Sequence, residues 1–127
     1  MEEAIADVLR GQRELALEKF NSISADNSDY AEVWNRIATC EFMLGNKSRS
    51  LEAAKKTIEL MPWYFQAYAG KGICEYEQEK YTEAEASFRK SLELSPWSLI
   101  SSKLAECVDV INRLAQSETD TKNTDEK

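Results

Sequence analysis

Apolar residues recur every three to four positions along most of the chain, which is the spacing of one face of an α-helix. The clearest stripe consists of Ile100, Leu104, Val108, Ile111 and Leu114. Four glycines and two prolines are too few to interrupt many helices. The pattern predicts an all-α protein with helices at about 2–10, 13–25, 31–43, 48–60, 65–78, 82–94 and 99–116.

The sequence also repeats itself. Segment 59–63 returns as 93–97, with glutamate, leucine, proline and tryptophan at matching places. The shift between these two segments also pairs Trp34 with Tyr68, Ala38 with Gly72, Cys40 with Cys74, Phe42 with Tyr76, Ala54 with Phe88, and Ile58 with Leu92. Shifting upstream by the same distance pairs Gly45 with Gly11, Ser50 with Ala16, and Ala54 with Phe20.

This repeat period and its pattern of large, small, aromatic and proline positions resemble those of the tetratricopeptide-repeat (TPR) family. The resemblance implies a right-handed superhelix of antiparallel helix pairs, with repeats at about 1–28, 29–62 and 63–96 and a shortened first repeat. Departures from the family pattern are Glu41, Lys71 and Glu75, which stand where it prefers apolar or aromatic residues, and Ser50, which replaces the usual alanine.

Helix ends have signals of their own. Asp29 with Glu32, and Thr82 with Glu85, have the spacing of a capping box, which predicts helix starts at these places. Pro62 and Pro96 are expected to end the second helices of their repeats, since proline lacks an N–H group.

The two ends of the chain differ from the repeats. The stripe in 99–116 predicts a capping helix that closes the last repeat, and 117–127, which has no large apolar residue, is expected to be a disordered polar tail. In the first helix, Ile5, Val8 and Leu9 cannot all face the second repeat. Ile5 and Val8 are therefore candidate contacts at an open N-terminal edge.

Charge and composition exclude several functions. A net charge of −7 disfavours nucleic acid and anionic membrane surfaces, and no apolar run is long enough to insert into a membrane. The chain has no histidine, and its three cysteines form no CxxC pair. We therefore expect no enzymatic activity, no catalytic residues, no cofactor and no metal site.

The location is predicted to be intracellular, and cytoplasmic rather than secreted, because the acidic start Glu2-Glu3 does not fit a signal peptide. An organelle interior is the alternative, if a transit peptide has been removed from a longer precursor.

In TPR proteins the first helices of the pairs line a concave groove, and the resemblance implies that partner segments lie there. Small and apolar residues would let a ligand backbone approach, while amide and guanidinium groups would orient it. A solvated helix face is the alternative for any one of these positions. The candidate groove residues are Asn35, Arg36, Thr39, Met43, Gln66, Ala69, Gly70, Ile73, Tyr76 and Glu77.

Chaperone-binding TPR domains hold a C-terminal carboxylate with lysine, arginine and asparagine side chains at fixed positions. Those positions fall here on Glu2, Ala6, Arg36, Gln66 and Gly70, or, one repeat later, on Asn35, Thr39, Gly70, Ile100 and Leu104. Neither set supplies the cations that a carboxylate needs, so a chaperone tail is disfavoured as the partner.

Trp63 and Trp97 each follow a repeat-ending proline. We expect them to pack across the junction onto the next helix pair, because tryptophan buries a large apolar area. The alternative is that they are aromatic anchors for a partner on the ridge of the superhelix.

These features together predict an adaptor, scaffold or assembly factor that binds a segment of another protein, in the groove or at the N-terminal edge. The alternative is a structural subunit of a larger complex, or a homodimer formed through that edge. The sequence does not identify the partner.

Overall fold

The computed structural model describes residues 1–97 and 99–125, with residues 119–125 described by their backbone alone. The helices are α1 (Glu2–Leu9), α2 (Arg13–Asp26), α3 (Ala31–Met43), α4 (Lys47–Leu60), α5 (Phe65–Glu77), α6 (Tyr81–Leu94) and α7 (Ser101–Asp125). Each helix packs on the next one in the chain, and α3 also contacts α5. The pairs α1–α2, α3–α4 and α5–α6 fall within the three predicted repeats, and the all-α prediction is confirmed.

The turn within each helix pair contains a residue with left-handed backbone geometry. Gly11 and Gly45 have φ angles of 78° and 84°, and Glu79, at the same position of the third repeat, has 63°. A left-handed residue after a helix lets the next amide reach a carbonyl of the last turn. Glycine does this without strain, whereas Glu79 brings a Cβ atom into this region.

The predicted capping boxes are wrong. The N-cap of α3 is Tyr30 and that of α6 is Lys80, and neither side chain makes a capping hydrogen bond. Asp29 lies one residue before the N-cap, and Thr82 lies inside the helix, so neither side chain is at the position that caps the first turn. The second helices do end just before the prolines, at Leu60 and Leu94.

Two apolar clusters form the core. One is formed by residues of α1, α2, α3 and α4, and its centre contains Phe20, Val33 and Ile37. The other lies between α5, α6 and α7 around Phe88 and Cys107. The second cluster uses the stripe residues Ile100, Leu104 and Ile111, so α7 covers the last repeat as a capping helix does.

The end of α7 differs from the sequence-based prediction. A disordered tail was expected from residue 117, but the helix continues to Asp125. Residues 117–125 contain no proline or glycine, so the hydrogen-bond ladder of the packed part of α7 extends through them. Residues 126–127 of that predicted tail lie outside the described residues.

A candidate partner-binding groove

A pocket of about 220 Å³ lies between α3 and α5, with α4 forming its floor. The first helices of the second and third pairs provide its walls. It is lined by Asn35, Ala38, Thr39, Phe42, Ser50, Ala54, Gln66, Ala67, Gly70 and Ile73.

The pocket exists because of one small residue on α4. Ala54 stands at the repeat position that Phe20 occupies in the first pair and Phe88 in the third. Both phenylalanine rings are completely buried and fill the space between their helices. At Ala54 the corresponding ring is missing, so space remains open toward the groove.

The pocket lining is apolar with neutral polar groups. Ser50 Oγ donates to the carbonyl oxygen of Ala38 at 2.7 Å, and Cys74 Sγ donates to Ser50 Oγ at 3.3 Å. Asn35, Thr39 and Gln66 add amide and hydroxyl groups. None of the lining residues is charged. The lining therefore suits an apolar side chain whose backbone can bond to neutral polar groups.

Half of the predicted groove residues line this pocket. They are Asn35, Thr39, Gln66, Gly70 and Ile73. Gly70 contributes open space, because a Cβ atom built on it would meet nothing within 4 Å.

The other five predicted groove residues lie elsewhere. Ala69 and Tyr76 pack against the cluster beneath α7, where Tyr76 makes an edge-on contact with Tyr81 at a centroid distance of 5.3 Å. Met43 is exposed, and Glu77 forms an ion pair with Lys47 at 2.8 Å.

Arg36, the one cation among the predicted groove residues, has an acidic neighbour. Its Nη2 atom lies 3.5 Å from Glu32 Oε1 on the preceding turn of α3. Its Nε atom is buried and has no hydrogen-bond partner among the described residues.

The sequence-based groove did not include the pocket floor. The pocket is also lined by Ala38, Phe42, Ser50, Ala54 and Ala67. In the sequence most of these positions serve only to align the repeats with one another. The sequence signal that points to this floor is that Ala54 stands where the other two repeats have phenylalanine, since a small residue at a core position leaves a gap.

The N-terminal edge is less open than its sequence suggested. Ile5 and Val8 are partly buried and pack against the first core cluster. Leu9 remains 84% exposed. The apolar surface of this edge is therefore reduced to one prominent side chain.

The prediction that Trp63 and Trp97 pack across the repeat junctions is wrong. Their side chains are 65% and 92% exposed. Both follow a proline in the turn between helices. At the junction after Pro62 it is Tyr64 that is half-buried and close to Asn35. Burial raises the pKa of the Tyr64 phenol.

A buried acid recurs at one position of every repeat. Asp7, Glu41 and Glu75 occupy equivalent places in the three repeats, and each is almost fully buried. Lys19 Nζ lies 2.7 Å from Asp7 Oδ2, and Lys71 Nζ lies 2.9 Å from Glu75 Oε2. Glu41 instead accepts a hydrogen bond from the neutral amide Nδ2 of Asn46 at 2.8 Å.

The cysteines Cys40, Cys74 and Cys107 are free and buried. Burial raises the pKa of each thiol, which keeps it protonated and weakly nucleophilic at neutral pH. In the described part of the chain no group of three or more cysteine or acidic side chains is placed to hold a metal ion. None of the described helices combines the length and apolarity needed to cross a membrane.

No family model matches the sequence. Among curated proteins, the Protein SGT1 homolog of Bos taurus is 35% identical over 80 residues, which cover 63% of this chain and 24% of the relative. The human Protein SGT1 homolog is 34% identical over 79 residues and is matched over 22% of its length. The chain thus spans about a quarter of the length of these relatives.

Solved structures resemble the chain in fold over most of its length. The first TPR of Spaghetti (RPAP3), bound to the HSP90 peptide SRMEEVD, superposes with a TM-score of 0.85 and 17% identity, covering 87% of this chain and 89% of that one. The second TPR domain of human RPAP3, in complex with the HSP70 peptide SGPTIEEVD, gives 0.79 and 20%, with coverages of 84% and 89%. The sequence repeat, the stacked helix pairs and these similarities show that the chain has the fold of a tetratricopeptide-repeat domain.

Proposed function

We propose that the chain is a protein-interaction adaptor that holds a segment of another protein in the groove between α3 and α5. The observation that carries this proposal is the pocket at Ala54. It opens where the first helices of two adjacent repeats meet, and it lacks the ring that fills the same place in the flanking repeats. An apolar side chain of the partner would recover the packing that is missing there.

The composition of the lining sets the chemistry of that segment. Without a charged side chain in the lining, the pocket favours an aliphatic or aromatic anchor flanked by backbone groups that bond to Asn35 and Gln66. The peptide-bound structural neighbours support binding of a protein segment in general. Their peptides end in Glu-Glu-Val-Asp, and an acidic end of this kind requires cations.

The groove offers little positive charge to such a tail. Gln66 and Gly70 stand at two positions where a carboxylate clamp would need cations. Arg36 is a cation, but its guanidinium already forms an ion pair with Glu32. The net charge of −7 adds repulsion. A chaperone C-terminal tail is therefore not the proposed partner. We propose binding rather than catalysis as the role, in the cytoplasm or another intracellular compartment.

Gly70 allows a direct test of the groove. A leucine at this position extends into open space and is a better helix former than glycine, so Gly70→Leu fills the pocket without disturbing the fold. The matched control is Ala86→Leu, which adds bulk on the exposed face of α6. Both variants are compared with the unaltered chain in affinity capture from native extract with crosslinking mass spectrometry.

We expect Gly70→Leu to reduce recovery of a stoichiometric partner at least about tenfold, and Ala86→Leu to leave recovery unchanged. Crosslinks from the partner should map to α3 and α5. If both variants recover the partner equally, the groove is not the binding surface.

The acidic-tail alternative is tested with the peptide SRMEEVD in a fluorescence polarisation titration. We expect no saturable binding at concentrations where the natural partner segment saturates. Saturable binding that Gly70→Leu abolishes would keep the groove as the site and replace the apolar anchor by an acidic tail.

A second candidate function is self-association through the N-terminal edge, which the exposed Leu9 favours. Light scattering over a dilution series distinguishes it from the adaptor role. A dimer that the substitution Leu9→Ser dissociates would support the edge, whereas a monomer at every concentration would exclude it.

A further inference from the structure

A cleft between α3 and α4 contains a buried acid, Glu41, that forms no ion pair with any of the described residues. It has a volume of about 490 Å³ and is lined by Trp34, Ile37, Glu41, Ser48, Arg49, Glu52, Ala53 and Lys56. Its residues on α3 belong to a different face of the helix from those that line the groove pocket. It is therefore a surface separate from the groove pocket of the proposed function.

The first repeat places a lysine beside the buried acid at this position. Asp7 is 2% exposed, and the ammonium of Lys19 lies 2.7 Å from its Oδ2 atom. Lys19 stands on the second helix of the pair, at the repeat position that is Ala53 in the second repeat.

The third repeat also pairs its buried acid with a lysine, but this lysine lies on the first helix of the pair. Glu75 is 4% exposed, and its Oε2 atom lies 2.9 Å from the ammonium of Lys71. Ser87 Oγ also donates to Glu75 Oε1 at 2.6 Å. Lys71 stands on the first helix of the pair, at the repeat position that is Ile37 in the second repeat.

The second repeat lacks both lysines. Glu41 is 6% exposed, its amide donor is Asn46, and among the described residues no cation lies within the 4.0 Å of an ion pair. Ile37 and Ala53, at the two positions that carry lysine elsewhere, form apolar walls of the cleft. A buried carboxylate gains most from a charged donor, because it has already lost part of its hydration.

We propose that this cleft accepts the side chain of a lysine from a partner protein, with its ammonium on Glu41. The methylene stem would lie along Trp34, Ile37 and Ala53, which matches the division of lysine into an apolar stem and a charged end. The net charge of −7 favours approach of a cationic segment. Arg49 and Lys56 at the cleft are like charges that oppose this binding, so their position limits its strength.

The test is an NMR titration of ¹⁵N-labelled protein with Nα-acetyl-lysine amide. Nα-acetyl-norleucine amide, which has the same stem without the ammonium, serves as the ligand control. The Trp34 indole N–H, which donates to the Ser28 carbonyl oxygen at 2.8 Å, is a reporter at the wall of the cleft. We expect saturable shifts of this signal with the lysine derivative and at least about tenfold weaker binding of the norleucine derivative.

Two variants separate the Glu41 site from general attraction to an acidic surface. Glu41→Gln keeps the shape and removes the charge, so binding should weaken about tenfold. Ala53→Lys supplies a lysine from the chain itself, as Lys19 does in the first repeat, and should abolish binding while raising the melting temperature.

Equal affinity for the two amides, or unchanged affinity in Glu41→Gln, would overturn the proposal. Tighter binding of putrescine than of the lysine derivative would overturn it in another way, since it would assign the cleft to a free diamine. Gly70→Leu should leave the titration unchanged, so a failed groove and a failed cleft are distinguishable.

Discussion

The ring of Phe88 lies so close to the backbone of Gly72 that a Cβ atom on Gly72 would come within 2.5 Å of Phe88 Cε1. Real Cβ atoms do not approach other atoms this closely, so either the ring or the helix must move. Phe88 is completely buried, so its ring cannot move aside without displacing its neighbours in the core. This contact explains why glycine stands inside α5 at a cost in helix propensity.

We expect Gly72→Ala to lower the free energy of unfolding by about 1–3 kcal/mol, because overpacking outweighs the gain in helix propensity. Gly70→Ala, two residues away in the same helix, is the control. Its Cβ meets nothing within 4 Å, so it should raise stability by up to about 1 kcal/mol. Urea denaturation followed by circular dichroism measures both. Equal effects of the two variants would contradict the contact.

The Lys71–Glu75 pair gives a second prediction. Lys71→Met removes the cation from a carboxylate that is 4% exposed, while Ser87 still donates to it. We expect a loss of about 2 kcal/mol, less than for a completely buried pair because the Lys71 side chain is 24% exposed. The exposed pair Arg113 and Asp109 is the control, since Arg113→Met should change stability by less than about 0.5 kcal/mol.

A double-mutant cycle then isolates the interaction between the two side chains. Lys71→Met combined with Glu75→Met leaves neither charge buried and should recover most of the stability lost in the single variant. If the two substitutions are simply additive in urea denaturation, Lys71 and Glu75 do not stabilise each other.

The sequence was sufficient to predict the helices because one register repeats. Two matched segments, 59–63 and 93–97, fix the ends of two helix pairs, and the shift between them carries that register to the rest of the chain. Capping was mispredicted because the boxes rest on side-chain spacing alone, while the actual helix start depends on the turn before it.

The pocket and the cleft depend on which residues meet across helices. The alignment of the repeats places Ala54 at the position of Phe20 and Phe88. Only the packing of α3, α4 and α5 shows that this smaller side chain leaves an open space. Two of the three buried acids, Glu41 and Glu75, were visible as departures from the family pattern, whereas Asp7 was not. Their different partners became visible only when Lys19 and Lys71 were placed against them.

The left-handed backbone of Glu79 predicts a stabilising substitution. Gly11 and Gly45 occupy the same turn in the other repeats, so Glu79→Gly should remove strain and raise stability by about 0.5–1 kcal/mol after the entropy of glycine in the unfolded chain is included. The reciprocal change Gly45→Ala should lower stability by about 1 kcal/mol. Thermal unfolding measures both, and a Glu79→Gly variant less stable than the parent would contradict strain at this turn.

The exposed tryptophans predict a small effect on folding. Trp63→Ala with Trp97→Ala should lower stability by less than about 1 kcal/mol, since neither ring is deeply buried. Acrylamide should quench the fluorescence of the unaltered chain strongly and that of the double variant weakly, because Trp34 is partly buried. A large fall in melting temperature would instead support packing at the junctions. Unchanged stability with lost partner recovery would make the two rings contacts for the partner.

Lys19 predicts how stability changes at alkaline pH. Its hydrogen bonds to Asp7 and Glu3, in that order of effect, raise the pKa of the Lys19 ammonium above its ordinary value of 10.5. A raised pKa in the folded state means that folding favours the protonated lysine. Its stabilising effect is therefore complete below pH 10.5 and is lost as the pH rises through the folded-state pKa.

The difference in stability between the unaltered chain and Lys19→Met should accordingly stay constant from pH 8 to about pH 10 and shrink above it. Taking the difference cancels the contribution of tyrosine and cysteine ionisation to the pH dependence of stability, because these groups ionise in the same range in both proteins. Lys55→Met, at an exposed lysine paired with Glu52, is the matched control and should show a smaller and flatter difference. Urea denaturation at a series of pH values measures these differences. A difference for Lys19→Met that grows with pH would mean that the ammonium is not held by Asp7 and Glu3.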